Sequence, residues 1–303
     1  MPSRLRFMRL RPQEAALIAI TAVWGSTFLL VHWAMEHAGP WFFVGIRFLI
    51  AGLISVVIFR RVLRGIRWRD VGAGVAIGVM IYLGYGLQTL GLQSIDSSTS
   101  AFITAMYVPL VPLAQWAVFR KRPPAMAFVG AGLAFVGLLF IAGPDAFALT
   151  LGAGEIATMI STVPIAAEII LISLFAGKID LGRITVVQLL TAGVLGLLTM
   201  PVVGEGVPEF SWVWVGCAVG LGAASCLIQL TMNWAQKSVS PTRATIIYAG
   251  EPVWAGVIGR IAGERLPATA LIGGALVVLG ILASELKPVR RRAKQEAPPE
   301  VRA

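Results

Sequence analysis

Polar residues are sparse along this chain and fall in short clusters, and between the clusters the sequence stays apolar for about twenty residues at a time. The apolar runs are Ala15 to Met35, Trp41 to Phe59, Val71 to Leu92, Ala101 to Phe119 and Ala125 to Ala142. They are followed by Ile156 to Ala176, Ile184 to Val203, Trp212 to Ala235, Ala244 to Ala262 and Ala268 to Leu286. A helix needs about 20 apolar residues to cross a bilayer. None of the runs alternates strictly, and membrane strands are only about half as long, so helices are the reading. The pattern predicts an all-α polytopic membrane protein with ten transmembrane helices. The first run follows Arg4, Arg6, Arg9 and Arg11, as a secretory leader would, but it is too long for one and no small-residue cleavage site closes it.

Composition sharpens this picture. Of 303 residues, 57% are hydrophobic and 13% charged, with a mean hydropathy of +0.82, whereas soluble domains carry roughly 25% charged residues. Ten spans leave only short loops and tails, so no independent soluble domain fits. Basic residues are retained on the cytoplasmic side of short loops. With the N terminus inside, 22 of the 25 Lys and Arg residues fall on inner segments. Arg265 alone lies in an outer loop, Arg260 is close to that face and Arg47 sits inside a helix. Glu36, Asp96, Asp145, Glu155, Glu205, Glu209 and Glu264 face outward. This asymmetry predicts an inner (plasma) membrane protein with both termini cytoplasmic, and it accounts for the net charge of +10 without nucleic acid. The tail KPVRRRAKQEAPPEVRA reads as a topology anchor against anionic lipid, since no nucleic-acid module accompanies it. Cys217 and Cys226 lie nine residues apart on one helix, roughly 13 Å along its axis, too far to pair.

The chain is also a duplication. PAMAFVGAGLAFVGLLF from Pro124 returns as PATALIGGALVVLGILA from Pro267, 143 residues later. RFLIAGL at Arg47 matches QLLTAGV at Gln188, and Gln88 matches Gln229, both at an offset of 141. Gly74-x-x-x-Gly78 matches Gly216-x-x-x-Gly220 and reads as close helix packing. Five crossings per copy place the second copy upside down relative to the first, the inverted repeat of secondary transporters. The predicted organisation is an N-terminal cytoplasmic segment over 1–13, a first repeat over 14–143, a second over 152–286 and a basic cytoplasmic tail over 287–303.

Tyr107 and Tyr248 correspond, as do Pro109 and Pro252, which puts a helix-breaking proline inside both the fourth and the ninth run. Each frees the carbonyl four residues earlier, Ala105 and Tyr248, and Pro112 adds an interruption at Val108. Pro164 is a fourth expected break. Interrupted helices at matching positions point to a substrate site, and a kink that serves packing is the other reading.

WGSTF at Trp24 to Phe28, PWFFVGIRFLIAGL from Pro40 and EPVWAGVIGRIAGERL from Glu251 resemble the drug/metabolite transporter superfamily, specifically its ten-helix EamA branch, over Glu14 to Leu286. The first copy departs from the pattern at FRKRPP, Phe119 to Pro124, where Lys121 stands opposite Glu264. Inversion supplies the reason, because the basic version belongs on the cytoplasmic side. The resemblance implies a basket of ten helices around a central cavity that moves small organic solutes, often outward. Amino acids are prominent among these solutes, aromatic ones included.

Charges inside a bilayer cost at least about 2.5 kcal/mol each and are functional hypotheses by default. Arg47 sits roughly 10 Å below the outer surface, while Glu168 and Glu251 lie within about 12 Å of the inner one, so Arg47 is not expected to pair with Glu168. For Arg47 the alternatives are snorkelling, capping of a neighbouring helix, or contact with an anionic substrate group. For the two carboxylates they are contact with a substrate ammonium, proton exchange, or a hydrogen bond that locks two helices. Trp24, His32, Tyr82, Tyr85, Gln88, Tyr107, Gln229, Asn233 and Tyr248 complete the expected lining, because a site for amino acids is mostly apolar with few convergent polar groups and aromatic faces attract an ammonium. The rival for each aromatic is packing. Trp41, Trp68, Trp212 and Trp214 read as interface anchors.

Other functional classes find little support. The chain has two histidines, no H-E-x-x-H, no G-x-S-x-G and no aspartate pair at membrane depth, which speaks against an intramembrane enzyme. It lacks a phosphate-binding G-x-x-x-x-G-K-[ST] loop, so ATP is not its drive. No cofactor or metal is expected, and the expected partners are a small-molecule substrate and lipid. A passive channel stays open as the alternative, with the absence of a charged ring or filter-like segment counting against it.

Overall fold

A computed structural model describes residues 11–120, 122–142, 152–263 and 269–285. Lys121, Asp145, Glu264, Arg265, the arginines before Arg11 and the basic tail lie outside the described residues. Among the described residues every regular element is a helix. These are α1 (Pro12–Met35), α2 (Pro40–Leu63), α3 (Trp68–Gly91), α4 (Ser97–Thr104), α5 (Tyr107–Phe119), α6 (Ala125–Ala142), α7 (Ala153–Phe175), α8 (Leu181–Val202), α9 (Trp212–Ala235), α10 (Pro241–Tyr248), α11 (Glu251–Ile261) and α12 (Ala270–Glu285). Seven stretches of 22 to 24 residues are long and apolar enough to cross a membrane, with α4 and α5 together forming one of them. The shorter α6, the α10–α11 pair and α12 fill the other three predicted runs.

Helix starts follow local chemistry. Glu14 and Asp70 reach back to the backbone N–H groups of Arg11 and Arg67, each at 3.0 Å. Asp180 accepts from the N–H groups of Gly182 and Arg183 at the start of α8. These bonds satisfy donors that a helix leaves free at its first turn.

The inverted duplication is visible where equivalent helices meet. A methyl group added at Gly137 of α6 would lie 2.6 Å from the Gly273 carbonyl and 2.9 Å from the Val277 nitrogen of α12. One added at Gly280 would lie at the same distances from Gly130 and Ala134 of α6. The two contacts are copies of each other at the 143-residue offset. Because early α6 meets late α12 and the reverse, the helices run antiparallel. In the same way Gly52 of α2 closes on Leu190 of α8 and Gly193 on Leu49, an exchange at the offset of 141. Glycine at these crossings lets backbones approach where association depends on packing rather than on expelled water.

The GxxxG correspondence holds only on one side. Gly74 and Gly78 press against Val187, Gln188 and Thr191 of α8, whereas Gly216 and Gly220 have open space where a side chain would stand. In the second copy the pair faces away from the protein, so the expectation of matched packing is corrected there.

Two runs are broken in the middle. α4 ends at Thr104 and α5 starts at Tyr107, and α10 ends at Tyr248 and α11 starts at Glu251. Pro109 and Pro252 both fall in the first turn of the second piece, where a missing N–H costs nothing. The Ala105 carbonyl that Pro109 deprives of its usual partner accepts from the Val108 N–H at 2.9 Å instead. Pro112 lies inside α5 without ending it. The expected break at Pro164 does not occur, since α7 runs through it from Ala153 to Phe175. Pro164 is buried among packed neighbours, and such neighbours let a membrane helix tolerate proline.

Both ends of the bundle are tied. At the expected inner end Arg183 meets Asp70 at 3.2 Å and the Val62 carbonyl at 3.0 Å, and Arg243 meets Glu14 at 2.8 Å. At the expected outer end Glu205, in the loop after α8, accepts from the N–H groups of Trp41 and Phe42 at 3.1 and 2.6 Å. It thereby caps α2 across the two halves.

Candidate functional site

The two breaks come about eight residues in from opposite ends, roughly 12 Å deep in a core of about 30 Å. Tyr107 and Glu251, the first residues of α5 and α11, thus reach the middle of the bundle from opposite directions, with Tyr248 at the end of α10. Gly25 of the WGSTF segment makes room for this. A methyl group there would lie 2.6 Å from the Glu251 carbonyl and 2.9 Å from the Ala255 nitrogen. α1 therefore packs directly on the broken helix.

An aromatic string crosses the centre. Trp24 stacks on Tyr85 with ring centres 6.4 Å apart, and meets Tyr248 edge-on at 5.5 Å. Phe48 packs edge-on against the far side of this group, 5.1 Å from Tyr85. The Arg47 guanidinium stands 5.3 Å from both the Phe48 and Tyr85 ring centres, and its Nε donates to Ser225 Oγ at 2.7 Å. As the helix depths required, Arg47 does not pair with Glu168.

A polar ladder adjoins the string. Gln188 Nε2 donates to Gln229 Oε1 at 2.7 Å, and Gln229 Nε2 donates to Glu168 Oε1 at 2.7 Å. Glu168 and Glu251 are close enough to interact electrostatically, as are Glu251 and Tyr107. Neither Tyr107 Oη nor Glu251 Oε1 completes a hydrogen bond among the described residues. Gln236 Nε2 donates to Tyr248 Oη at 3.3 Å.

Of the residues expected to line the site, Trp24, Tyr85, Tyr107, Glu168, Gln229, Tyr248 and Glu251 converge. Gln88 donates to Thr104 at 3.0 Å and supports the end of α4, and Asn233 donates to Thr185 at 2.9 Å nearer the expected inner end. His32 lies toward the expected outer end, and Tyr82 stands one turn before Tyr85 on α3 with its hydroxyl bonded to α8. His32 approaches the Leu92 carbonyl at 3.2 Å, and Tyr82 shares a 2.6 Å hydrogen bond with Thr199. Trp41, partly exposed in the first turn of α2, packs on Tyr82 with centres 5.4 Å apart. Trp68 and Trp212 are exposed, as anchors are.

The central cavity that the resemblance implied is closed here. The seven converging residues are at most 4% exposed. An open groove of about 560 Å³ lies at the expected outer end, walled by Glu36, His37, Gln93, Glu209 and their neighbours, and none of the seven reaches it. Gln188, Thr104, Ser225 and Gln236 carry contacts that the sequence reading did not assign to a site. Thr104 and Thr245 are related by the offset of 141, as are Arg47 and Gln188, and that relation was the available signal. Among the described residues no three His, Cys, Asp or Glu side chains group as metal ligands.

The profile of the EamA-like transporter family matches residues 13–143 and, a second time, 152–285. The chain belongs to the EamA-like transporter family. It is 26% identical to the uncharacterized inner membrane transporter YedA of Escherichia coli (strain K12), across 98% of this chain and 100% of that one. An uncharacterized transporter of Archaeoglobus fulgidus is 27% identical, across 90% and 86% of the two chains. An S-adenosylmethionine/S-adenosylhomocysteine transporter of Chlamydia muridarum is 30% identical over 174 residues, about half of each chain. A solved crystal structure shares the fold with a TM-score of 0.72 over 91% of this chain and 98% of that one, at 16% identity. The protein is thus a multi-pass membrane transporter, and the closed cluster at the two helix breaks is its candidate site.

Proposed function

We propose that this transporter exports small organic solutes that carry an ammonium group, amino acids or related metabolites, by alternating access. The observation that carries this reading is the pair of buried carboxylates, Glu168 and Glu251, grouped with the aromatic side chains of Trp24, Tyr85, Tyr107 and Tyr248. Carboxylates supply the countercharge an ammonium needs on leaving water, and aromatic faces add cation–π attraction. The Chlamydia muridarum relative is named for substrates that combine an amino-acid end with a larger body, which suits the same chemistry.

A carboxylate that meets an ammonium in one state and a proton in another links solute movement to a proton gradient, so we assign the drive to proton exchange at Glu168 and Glu251. Alternating access requires the ties at the two ends to open in turn, with Arg183–Asp70 and Arg243–Glu14 on the cytoplasmic side and Glu205 on the outer side. Both termini then lie in the cytoplasm, following the arginine distribution.

Flux of labelled amino acids in proteoliposomes tests this. Uptake is expected to saturate, to show counterflow, and to lose its response to an imposed pH gradient in a Glu168→Gln/Glu251→Gln double variant. Single-channel current steps in place of saturation would mean a pore. A pH response that survives in the double variant would dispose of the proton assignment.

A further inference from the structure

Arg47 is a buried cation whose charge is left over. Its residue is 2% exposed, and burying an unpaired charge is costly. Yet the two ion pairs resolved among the described residues, Arg183–Asp70 and Arg243–Glu14, lie elsewhere. Ser225, a neutral hydroxyl, takes Nε, and the rings of Phe48 and Tyr85 face the guanidinium. Nη2 is buried and has no hydrogen-bond partner among the described residues.

The arrangement is built rather than incidental. Gly222 of α9 closes on Ile50 and on the carbonyl of Arg47 itself, where a methyl group would lie 2.6 Å from the Ile50 side chain. That close crossing lets Ser225, one turn further on, reach Nε. The guanidinium is therefore held by its inner nitrogen and by two rings, while a terminal N–H group is left without a partner. That N–H group can donate to a carboxylate oxygen in a charge-assisted bond. Tyr85 also links this point to the proposed ammonium site, because Trp24 stacks on Tyr85 and Tyr248 follows it toward Glu251.

We propose that Arg47 is the substrate's anion-recognition residue, so that the transported solutes are zwitterions rather than simple amines. The carboxylate bonds to Nη2, and the ammonium lies along the Tyr85–Trp24 faces toward Glu168 and Glu251. This rests on the amine-binding reading of the site given above and adds a second requirement to it. A buried guanidinium with nothing to pair with rejects a ligand that brings no negative charge, because binding would leave the cation as it was and cover it further.

The test compares each of the twenty common amino acids with its own carboxamide, which keeps the ammonium and side chain and loses only the negative charge. The full-length protein in detergent is titrated, and the readout is the ligand concentration giving half-maximal stabilisation against heat. The wild type is expected to need about tenfold more of the carboxamide, as a charge-assisted pair implies. In Arg47→Gln the two are expected to agree within about twofold, and Arg47→Lys, which keeps the charge but not the fork, should fall between. The proposal is overturned if every stabilising pair is equally effective on the wild type, if no amino acid stabilises it, or if the preference persists in Arg47→Gln. Should Arg47→Gln fail to fold, Arg47→Lys carries the comparison: its preference is expected to be smaller than that of the wild type, and an unchanged preference overturns the proposal. Counterflow in proteoliposomes separates the two readings. An Arg47-dependent preference without saturable flux would defeat the transport mechanism and leave this assignment standing, whereas flux without the preference would do the reverse.

Discussion

Single residues hold this protein together where the two halves touch, and two of them make direct tests. Glu205 is an acid in a loop, yet it accepts two backbone N–H groups at the start of α2. Glu205→Ala leaves those donors without their cap. It is expected to cost about 1 to 2 kcal/mol, read as a lower unfolding midpoint in detergent. Gly25 sits against the backbone of α11, and Gly25→Ala forces a methyl group into a gap that does not exist. The expected loss is about 1 to 3 kcal/mol, together with slower flux, since the displaced segment carries Glu251. Normal stability and flux in that variant would show that α1 does not seat the break. The sequence marked Gly25 through its motif but gave no sign of what it touches. Glu205 was legible only as an outward-facing charge.

At the scale of the helix, the pattern located ten runs, and their interruptions needed more than the positions of prolines. Pro109 and Pro252 stand in the first turns of α5 and α11, and Pro164 stands inside an unbroken α7. The same residue type has different settings: in a first turn proline removes an N–H that the helix does not use, whereas Pro164 is buried among packed neighbours within α7. Pro164→Ala restores an N–H donor inside α7 and is accordingly expected to leave flux unchanged and the unfolding midpoint in detergent no lower than that of the wild type. The α6–α12 crossing makes a symmetric test. Gly137→Leu and Gly280→Leu place the same bulk at equivalent points of one antiparallel contact. They should lower the unfolding midpoint by similar amounts, and a large inequality would argue that the two halves are not equivalent there.

For the whole molecule, the closed centre and the tied ends form the arrangement that the proposed alternating access has to open. Arg183 and Asp70 are largely shielded from solvent, with side-chain exposures of 22% and 8%, so their release matters more than that of a surface pair. Asp70→Asn combined with Glu14→Gln is expected to shift the population toward opening at that end by about fivefold, as about 1 kcal/mol implies. A cysteine placed at the buried Ile184, in a background with Cys217 and Cys226 replaced, would report this through faster labelling by a membrane-impermeant maleimide. Unchanged labelling would mean that these pairs do not hold the end shut.

The sequence by itself determined the ten apolar runs, their duplication and the sense of the second copy, because apolar length, repeat offset and an odd number of crossings are properties of the chain alone. It also singled out Glu168 and Glu251, since an intramembrane charge is conspicuous wherever it lies. Only the tertiary structure decided which candidates meet. It gathered Trp24, Tyr85, Tyr107 and Tyr248 with the carboxylates, left His32 toward one end, tied Tyr82 to Thr199 and brought Ser225 to Arg47. The reason is physical. Depth in the membrane follows from counting residues along a helix, but the face a side chain presents and the partner it reaches depend on how helices cross, and the glycines set those crossings through contacts between segments far apart in the chain.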